Sequence, residues 1–403
     1  MVRTAEAARL IEAEPEEVGL SSARLGNVAA LAQRYVDERK FMGAITAVAR
    51  RGKVVHFETC GNMDDEAGRP MQADTIFRMA SMTKPIASVG LMTLYEEGRF
   101  QLDDPAARFV PQLGGLKVKA GPSDSQTLRE AVRDMTIADL LRHTSGLGGS
   151  SALNGTLIHG TLDDLVERLG ELPLLCDPGS EWNYGLSTDV VGYLCQVIGG
   201  RRLDEFLAER IFGPLGMEDT GFSVRPSEAQ RLAAGYRKGQ EGEPAYVLND
   251  APAGSRFTRP ATYHSGAGGL VSTAADYIRF CKMLANGGEL DGARILGART
   301  LRFMTMNHLP GGRDLAAMSN GGPTETAREG VGFGLGFAVL LDPTVSQTLG
   351  AAGEYYWGGA HSTAFFISPS EDLIALFLTQ LTPSSSYPVR RELRAAVYSS
   401  IID

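Results

Sequence analysis

A serine and a lysine three residues apart, Ser81 and Lys84, place a nucleophile and a base within one short segment. Positions three apart share one face of a helix, so the lysine amine can reach the serine hydroxyl. Pro85 follows directly, and a helix tolerates proline only in its first turn. The segment therefore predicts a helix that begins at Ser81, and an acyl-transfer enzyme that works through a covalent acyl-serine.

The motif alone is weak evidence, because a chain of this length contains about one Ser-x-x-Lys by chance. The alternative is a helix cap at Ser81 and a solvated lysine at Lys84. Met82, Ile86 and Ala87 make the surroundings of the lysine apolar, which favours a buried helix. Burial disfavours the charged form of an amine, so we expect Lys84 to take the Ser81 proton. Amides at the helix N-terminus would help to hold an oxyanion.

The segment 182–189, Trp-Asn-Tyr-Gly-Leu-Ser-Thr-Asp, contains Tyr184, a second candidate for proton transfer. Ser187 begins a pattern that is typical of a helix start. Tyr184 is therefore expected on a loop just before a helix, where side chains point into clefts. We interpret it as a phenol that shares protons with Lys84 and Ser81. A packed tyrosine that only anchors the loop is the alternative.

The segment 356–362, Tyr-Trp-Gly-Gly-Ala-His-Ser, precedes a predicted strand. Its two glycines let the backbone and a ligand approach closely. We expect a strand edge here, where the Ala360 N–H and the Ser81 N–H form an oxyanion hole. A simple β-turn is the alternative. The predicted substrate contacts are Trp357, Gly358, Gly359 and His361.

The remaining pattern predicts one sheet built from both chain ends, with a mainly helical insert between them. Arg51 and Gly52 predict a tight hairpin turn between the first two strands. A helix is predicted before these strands, over Leu20–Val36, and another closes the chain. The predicted strands are Gly43–Ala49, Lys53–Thr59, Gly334–Leu341, His361–Ile367 and Leu373–Thr379.

Two domains are expected from this arrangement. Residues 1–84 and 262–403 would form a discontinuous α/β domain, and residues 85–261 a helical domain, with the active site at their interface. Residues 239–262 and 311–330 are rich in glycine and polar residues and are predicted as long loops. The second loop is expected to shape the pocket.

Composition argues against several classes of function. The formal net charge is −9 and no Lys/Arg-rich tract occurs, so neither nucleic acid nor a membrane is expected as a partner. We see no transmembrane run and no signal-peptide core in the sequence. The four scattered cysteines are expected as free thiols in a reducing cytoplasm. The histidines are isolated from one another, so no metal or cofactor is expected.

Several segments resemble the serine β-lactamase and penicillin-binding protein superfamily. Phe77–Pro85 resembles the nucleophile segment of that superfamily. Leu140–Leu147, Pro178–Tyr184 and Gly213–Met217 resemble segments of its class C-like branch. The likeness covers most of the chain.

This resemblance implies both a fold and a set of roles. The fold would be of the α/β (α+β) class, with an antiparallel sheet flanked by helices and an inserted mainly helical domain. Ser81 would be the nucleophile, Lys84 its base and Tyr184 the proton relay.

Two departures from the class C pattern decide the expected substrate. Leu186 stands where class C β-lactamases have an asparagine, and no lysine follows Lys282. Trp357 and the two glycines after it replace the Lys-Thr-Gly motif, whose lysine helps to bind a carboxylate. Losing that lysine should weaken β-lactam binding by roughly 1–3 kcal/mol. The Trp-Gly-Gly form is similar to that of the family VIII carboxylesterases, which act on short-chain esters.

The sequence therefore predicts a carboxylesterase that acts on a small-molecule ester. No Gly-x-Ser-x-Gly elbow occurs, which disfavours an α/β-hydrolase. The alternatives on the same fold are a β-lactamase, a D-amino-acid peptidase and an acyltransferase. A non-catalytic penicillin-binding sensor that acylates and stalls is a minor alternative.

Overall fold

The structure is a computed structural model that describes residues 9–121, 127–149, 160–319 and 329–403. The strands in these ranges are β1 (Gly43–Arg50), β2 (Lys53–Asp64), β3 (Arg69–Pro70), β4 (Phe77–Arg78), β5 (Lys117–Lys119), β6 (Leu128–Glu130), β7 (Gly235–Lys238), β8 (Tyr246–Asp250), β9 (Val271–Ser272), β10 (Glu289–Leu290), β11 (Ala293–Arg294), β12 (Val331–Phe333), β13 (Ala338–Leu340), β14 (Tyr355–Gly358), β15 (Ala364–Ser368), β16 (Leu373–Leu378) and β17 (Leu381–Thr382). The α-helices are α1 (Ser22–Asp37), α2 (Thr83–Glu96), α3 (Ile137–Leu141), α4 (Leu162–Gly170), α5 (Ser187–Gly199), α6 (Leu203–Leu207), α7 (Gly213–Leu215), α8 (Ala274–Ala285), α9 (Ala298–Met304), α10 (Leu315–Met318) and α11 (Val389–Tyr398). None of the helices in the described ranges is both long and apolar enough to cross a membrane.

The main sheet joins both ends of the chain. Its strand order is β12-β13-β14-β15-β16-β1-β2-β3, and neighbouring strands run antiparallel. The two ends meet where β1 pairs with β16, with Ile45 opposite Leu378. Arg51 and Gly52 both have positive φ and make the tight turn between β1 and β2. The predicted sheet from both chain ends, and the predicted fold class, are confirmed.

Both faces of this sheet are buried, because alternate side chains of each strand enter two different cores. Ile45 and Ala47 belong to the core that also contains residues of α2 and α8. Ala44 and Val48 belong to the core that contains residues of α1 and α11. Double-sided burial explains why the strand sequences are almost continuously apolar.

Helix α2 is the central element of the helical part. Every residue from Thr83 to Leu94 is buried, including Lys84. The Tyr277 hydroxyl on α8 donates a 2.9 Å hydrogen bond to the carbonyl of Met82, just before α2 begins. The apolar residues on all sides of α2 are therefore explained by packing against the sheet side and the helical side at once.

Two loop predictions need correction. Residues 239–262 were expected to be a loop, yet they contain β8, which pairs with β7. β7 also pairs with β17 near the C-terminus. Residues 311–330 include the one-turn helix α10, while residues 320–328 of that predicted loop lie outside the described residues. The expected domain division at residues 84 and 261 stays a prediction, and β7 ties part of the expected helical domain to the C-terminal strands.

The strand predicted over Gly334–Leu341 is confirmed only in its second half, where β13 lies, because the first half is a turn. The chain turns between β12 and β13, and these two strands pair antiparallel. Gly336 has a φ of 99°, which is accessible to glycine and strained for other residues. A continuous apolar run hid this turn, since apolar residues flank it on both sides.

Candidate active site

Ser81 lies in a 3-10 turn, Ala80–Met82, immediately before α2. Ala80 has a φ of +46°, a left-handed conformation that is costly for a residue with a Cβ. The surrounding backbone holds this turn from the upstream side, because β4 pairs with β9 and Met79 N–H donates to the carbonyl of Leu270. The helix was expected to begin at Ser81, whereas Ser81 lies in the 3-10 turn and the α-helix begins at Thr83. Strain of this kind is common where a nucleophile is presented to a cleft.

Lys84 is in the first turn of α2 and its side chain points back to Ser81. Its Nζ lies 3.2 Å from Ser81 Oγ and donates a 2.8 Å hydrogen bond to the carbonyl of Ala267. The residue is 4% exposed, so the amine is shielded from bulk water. The pair thus has the direct contact that proton transfer from a serine hydroxyl requires.

A buried carboxylate positions the carbonyl that Lys84 contacts. Asp189 Oδ1 accepts a 2.5 Å bond from Ser265 Oγ and a 3.2 Å bond from the Ala267 N–H. Burial raises the pKa of Asp189, while the hydroxyl of Ser265 and the nearby Lys84 amine act in the opposite direction. Asp189 therefore fixes the loop that holds Lys84 in place.

The sequence interpretation missed this arrangement. In the sequence, Asp189 only closes the segment 182–189 and received no role, and the glycine-rich segment 266–269 was not selected. A Cβ at Gly266 would lie 2.6 Å from the carbonyl oxygen of Thr188, so only glycine lets this loop lie against α5. The cluster of glycines was the one feature of the sequence that could have indicated this close contact between the loop and α5.

Tyr184 contacts Lys84 through its aromatic ring. The Lys84 Nζ lies 4.5 Å from the centre of the Tyr184 ring. The Tyr184 hydroxyl accepts a 3.3 Å hydrogen bond from Trp357 Nε1. Among the described residues, the hydroxyl forms no hydrogen bond with Ser81 or Lys84. The structure thus brings Ser81, Lys84 and Tyr184 together, while the hydroxyl relay between them is not closed in this conformation.

His143 lies under the Tyr184 ring. Its backbone has a φ of 58° just after α3, and the ring centres of His143 and Tyr184 are 4.9 Å apart. The ring nitrogen Nε2 is 3.3 Å from Thr188 Oγ1. Burial, with a smaller contribution from the Lys84 charge, lowers the pKa of His143 well below its usual value. A neutral imidazole therefore packs against the Tyr184 ring.

The segment with Ala360 is a turn between β14 and β15 rather than a strand edge. A Cβ at Gly359 would lie 2.4 Å from the Met79 carbonyl oxygen and 3.3 Å from Ala80 Cβ, so this turn presses on the backbone just before Ser81. Within the described ranges, the Ala360 N–H donates to no backbone carbonyl. An amide of this kind has the capacity to hold an oxyanion. Ala360 is not among the described residues that line the cleft over Ser81, and its role in an oxyanion hole stays a prediction.

Arg390 on α11 also holds this turn. Its guanidinium donates to the carbonyls of Gly359 (2.9 Å) and Thr363 (2.8 Å). A Cβ at Gly358 would lie 2.4 Å from the guanidinium carbon of Arg390, which explains the glycine at this position. The structure therefore places Gly358 against Arg390, and sequence spacing gave no indication of that contact.

His361 lies in the same turn. Burial, followed by the positive charge of Arg78, lowers the pKa of His361 to about 4. The imidazole is therefore neutral near pH 7. Its predicted role as a substrate contact, like those of Trp357, Gly358 and Gly359, stays a prediction.

An open cleft of about 600 Å³ lies over the nucleophile. Ser81, Lys84 and Tyr184 line it together. The expected position of the active site at an interface of two domains stays a prediction. Its further lining residues, which the sequence interpretation did not select, include Asp189, Arg256, Tyr263, Ser265 and Ala267. In the parts of the chain that the structure describes, no group of His, Cys, Asp or Glu side chains is arranged to hold a metal ion.

The fold and the paired serine and lysine are those expected of a β-lactamase-like protein, and comparison with known proteins agrees with this class. The beta-lactamase family model matches residues 28–399, so the chain belongs to the beta-lactamase family. The predicted resemblance is confirmed.

Individual relatives span nearly the whole chain. The Mycobacterium tuberculosis protein Rv1367c is 36% identical over 375 residues, which cover 90% of this chain and 91% of the relative. Esterase EstB of Burkholderia gladioli is 33% identical over 417 residues, covering 96% of this chain and 98% of EstB. Among solved structures, EstCE1, described as a hydrolase with promiscuous acyltransferase activity, superposes with a TM-score of 0.77 at 26% identity. That superposition covers 93% of this chain and 99% of EstCE1.

Proposed function

We propose that this protein is a carboxylesterase that hydrolyses small-molecule esters through an acyl-serine at Ser81. The observation that carries the proposal is the 3.2 Å contact between Lys84 Nζ and Ser81 Oγ at the surface of an open cleft. A serine hydroxyl is a weak nucleophile until an adjacent base takes its proton. Lys84 is the group in direct contact with that hydroxyl.

In the proposed acylation step, Ser81 Oγ forms a bond to the ester carbonyl carbon as its proton passes to Lys84. The negative charge that develops on the carbonyl oxygen is held by the N–H groups of Ser81 and Ala360. Collapse of this intermediate breaks the bond to the alcohol oxygen. Tyr184 and Lys84 return the proton to the leaving alcohol, which departs and leaves the acyl group on Ser81.

Deacylation uses the same groups in the reverse roles. Lys84 and Tyr184 accept a proton from water, whose oxygen attacks the acyl carbon. The bond to Ser81 Oγ then breaks, the serine regains its proton and the carboxylic acid is released. Asp189 and Ala267 keep the Lys84 amine oriented through both steps, because the Ala267 carbonyl accepts one of its hydrogens.

Two observations favour esters over β-lactams. EstB, a relative across almost the full length, is an esterase. Trp357 stands where a lysine would be needed for a β-lactam carboxylate, and here its indole N–H holds Tyr184 instead. Acyl transfer to an alcohol is the second candidate, since EstCE1 is described as having promiscuous acyltransferase activity. We further propose a cytoplasmic enzyme with no nucleic-acid or membrane partner, on the basis of its acidic charge and its four buried, unpaired cysteines.

The first test is the Ser81→Ala variant with p-nitrophenyl acetate and butyrate. Hydrolysis should fall to the uncatalysed rate, because no other group forms the acyl intermediate. Ser22→Ala, at an exposed position at the start of α1, is the matched control and should retain full activity. Undiminished hydrolysis by Ser81→Ala would refute the proposal.

The alternatives are distinguished in the same assays. Nitrocefin turnover faster than ester turnover would favour a β-lactamase. Product analysis with added short alcohols would show an acyltransferase by a transferred ester that exceeds the free acid. A lasting acyl adduct in the intact-mass spectrum, without turnover, would identify a stalled sensor.

A further inference from the structure

Arg256 is a cation in the active-site cleft that the proposed mechanism does not use. It lines the cleft together with Ser81 and Lys84. It is exposed, and its guanidinium carbon lies 4.4 Å from the centre of the Phe257 ring. Stacking on an aromatic face leaves the N–H donors at the edge of the guanidinium free to bind a ligand.

The N–H donors of Arg256 are unpaired within the part of the chain that the structure describes. In the described ranges, no side chain or carbonyl accepts a hydrogen bond from Arg256. Asp250 is the carboxylate whose charge acts on it, but Asp250 Oδ2 already accepts from Arg78 Nε at 2.6 Å and from Ser255 Oγ at 3.0 Å. Among the described residues, Arg256 is therefore left without a carboxylate of its own.

The backbone that carries Arg256 is well anchored. Ser255, which is 1% exposed, caps the short 3-10 turn that begins at Arg256. The buried Arg78 donates a 3.1 Å hydrogen bond to Ser255 Oγ. A guanidinium on a fixed turn is pre-organised, so less entropy is lost when a ligand binds.

The cleft as a whole also favours an anion. Asp189 is the carboxylate among its described lining residues, and it is buried beneath Ser265 and Ala267. Arg256 is the permanently charged cation among them, whereas Lys84 must be neutral to accept the Ser81 proton. The charge presented at the cleft surface is therefore that of Arg256, in a protein whose formal net charge is −9. Clefts lined by one sign of charge concentrate ligands of the opposite sign.

We propose that Arg256 binds a carboxylate on the substrate, so that the preferred esters carry a free carboxylate in addition to the ester that is cleaved. Guanidinium binds carboxylate with two parallel hydrogen bonds, a geometry that also orients the substrate. The carboxylate can lie on the acyl side, as in a monoester of a dicarboxylic acid. It can also lie on the leaving-group side, as in an ester of an alcohol that carries a carboxylate. This inference rests on the proposed esterase activity.

Matched substrates test the inference. On the acyl side, mono-p-nitrophenyl glutarate is compared with its methyl-capped diester. On the leaving-group side, 4-carboxyphenyl butyrate is compared with its methyl ester. For each pair the measured quantity is the ratio of kcat/KM for the carboxylate over the capped form, in the wild type, Arg256→Gln, Arg256→Lys and Arg259→Gln.

In at least one pair the ratio should fall about tenfold or more in Arg256→Gln, the range for a lost charged hydrogen bond. Arg256→Lys should give an intermediate ratio, because lysine keeps the positive charge and lacks the two parallel N–H donors of a guanidinium. Arg259 is exposed on the same loop and outside the described cleft lining, so Arg259→Gln should keep the wild-type ratio.

Equal ratios in the wild type and Arg256→Gln for both pairs would overturn the inference, as would an equal fall in Arg259→Gln. The proposed esterase activity is judged separately with Ser81→Ala on the same esters. If that variant is inactive while the ratios do not depend on Arg256, the carboxylate site alone is wrong. If Ser81→Ala still cleaves them, the proposed function fails.

Discussion

The Gly359–Thr363 turn packs against the backbone just before Ser81, but the turn and the Ser81–Lys84 segment are positioned in different ways. Ser81 and Lys84 are three residues apart, and the 3-10 turn that leads into α2 brings the amine within 3.2 Å of the hydroxyl. The turn reaches Ser81 only through tertiary contacts, such as Thr363 Oγ1 to the Met79 carbonyl across 284 positions of sequence. The short Ser81–Lys84 segment should tolerate small packing changes elsewhere, whereas the position of the Gly359–Thr363 turn depends on contacts with distant segments. Variants in the two regions should therefore fail in different ways.

The largest effect is expected at Lys84. Lys84→Met should lower kcat/KM for p-nitrophenyl butyrate by about 10²–10⁴-fold, the range for removal of a general base. Lys84→Arg should be similarly impaired, because a guanidinium does not give up its proton near neutral pH. Steady-state kinetics measure both, and Lys282→Met, which removes a lysine paired with Glu12 away from the cleft, is the control. Near wild-type activity in Lys84→Arg would show that the charge, and not proton transfer, is what matters.

A smaller effect is expected at Arg390, which holds the turn without touching the substrate. Arg390→Met should lower kcat about tenfold with little change in KM, because displacement of the oxyanion amide affects the transition state more than the bound ester. The comparison is Arg391→Met, a change at the exposed neighbour on the same helix. The idea fails if the two variants have the same kcat, or if Arg390→Met changes KM alone.

The smallest effect concerns the pH dependence of stability at His361. Its pKa in the folded protein is lowered to about 4, chiefly by burial, against about 6.5 for an unfolded histidine. A lowered pKa means that the folded state resists protonation, so this contribution is complete above pH 6.5 and is lost as the pH falls towards 4. The Tm of the wild type should therefore fall more steeply over this interval than that of His361→Gln. Parallel curves from pH 7 to 4 would contradict this assignment, and other titrating groups cancel in the difference.

The fold was predictable from the sequence where periodicity and end signals were strong. Ser21 caps α1 next to the predicted boundary, and Thr136 caps α3 with a capping box. The hairpin at Arg51-Gly52 needed only its glycine and the flanking strands. The turn at Gly336 was missed because apolar residues on both sides gave one uninterrupted pattern. β8 was missed because its polar residues and its glycine-rich surroundings are typical of a loop.

The candidate site was predictable to a similar extent. Ser81, Lys84 and Tyr184 line one cleft, and their types and local spacing were enough to select them. Asp189, Arg256 and Arg390 were not selected. Their roles depend on contacts with segments that are distant in the chain, and the residues next to them in sequence do not reveal those contacts.

The sequence by itself determined the three-residue spacing of Ser81 and Lys84, the sheet made from both chain ends, and the absence of a lysine after Lys282. These are properties of local spacing and residue type. Only the tertiary structure decided that the Tyr184 hydroxyl is held by Trp357, that Asp189 orients the contact of Lys84, and that an uncompensated guanidinium faces the cleft. Those arrangements depend on packing between distant segments, where hydrogen-bond geometry and burial act over a few ångströms in space and over tens to hundreds of residues in the chain.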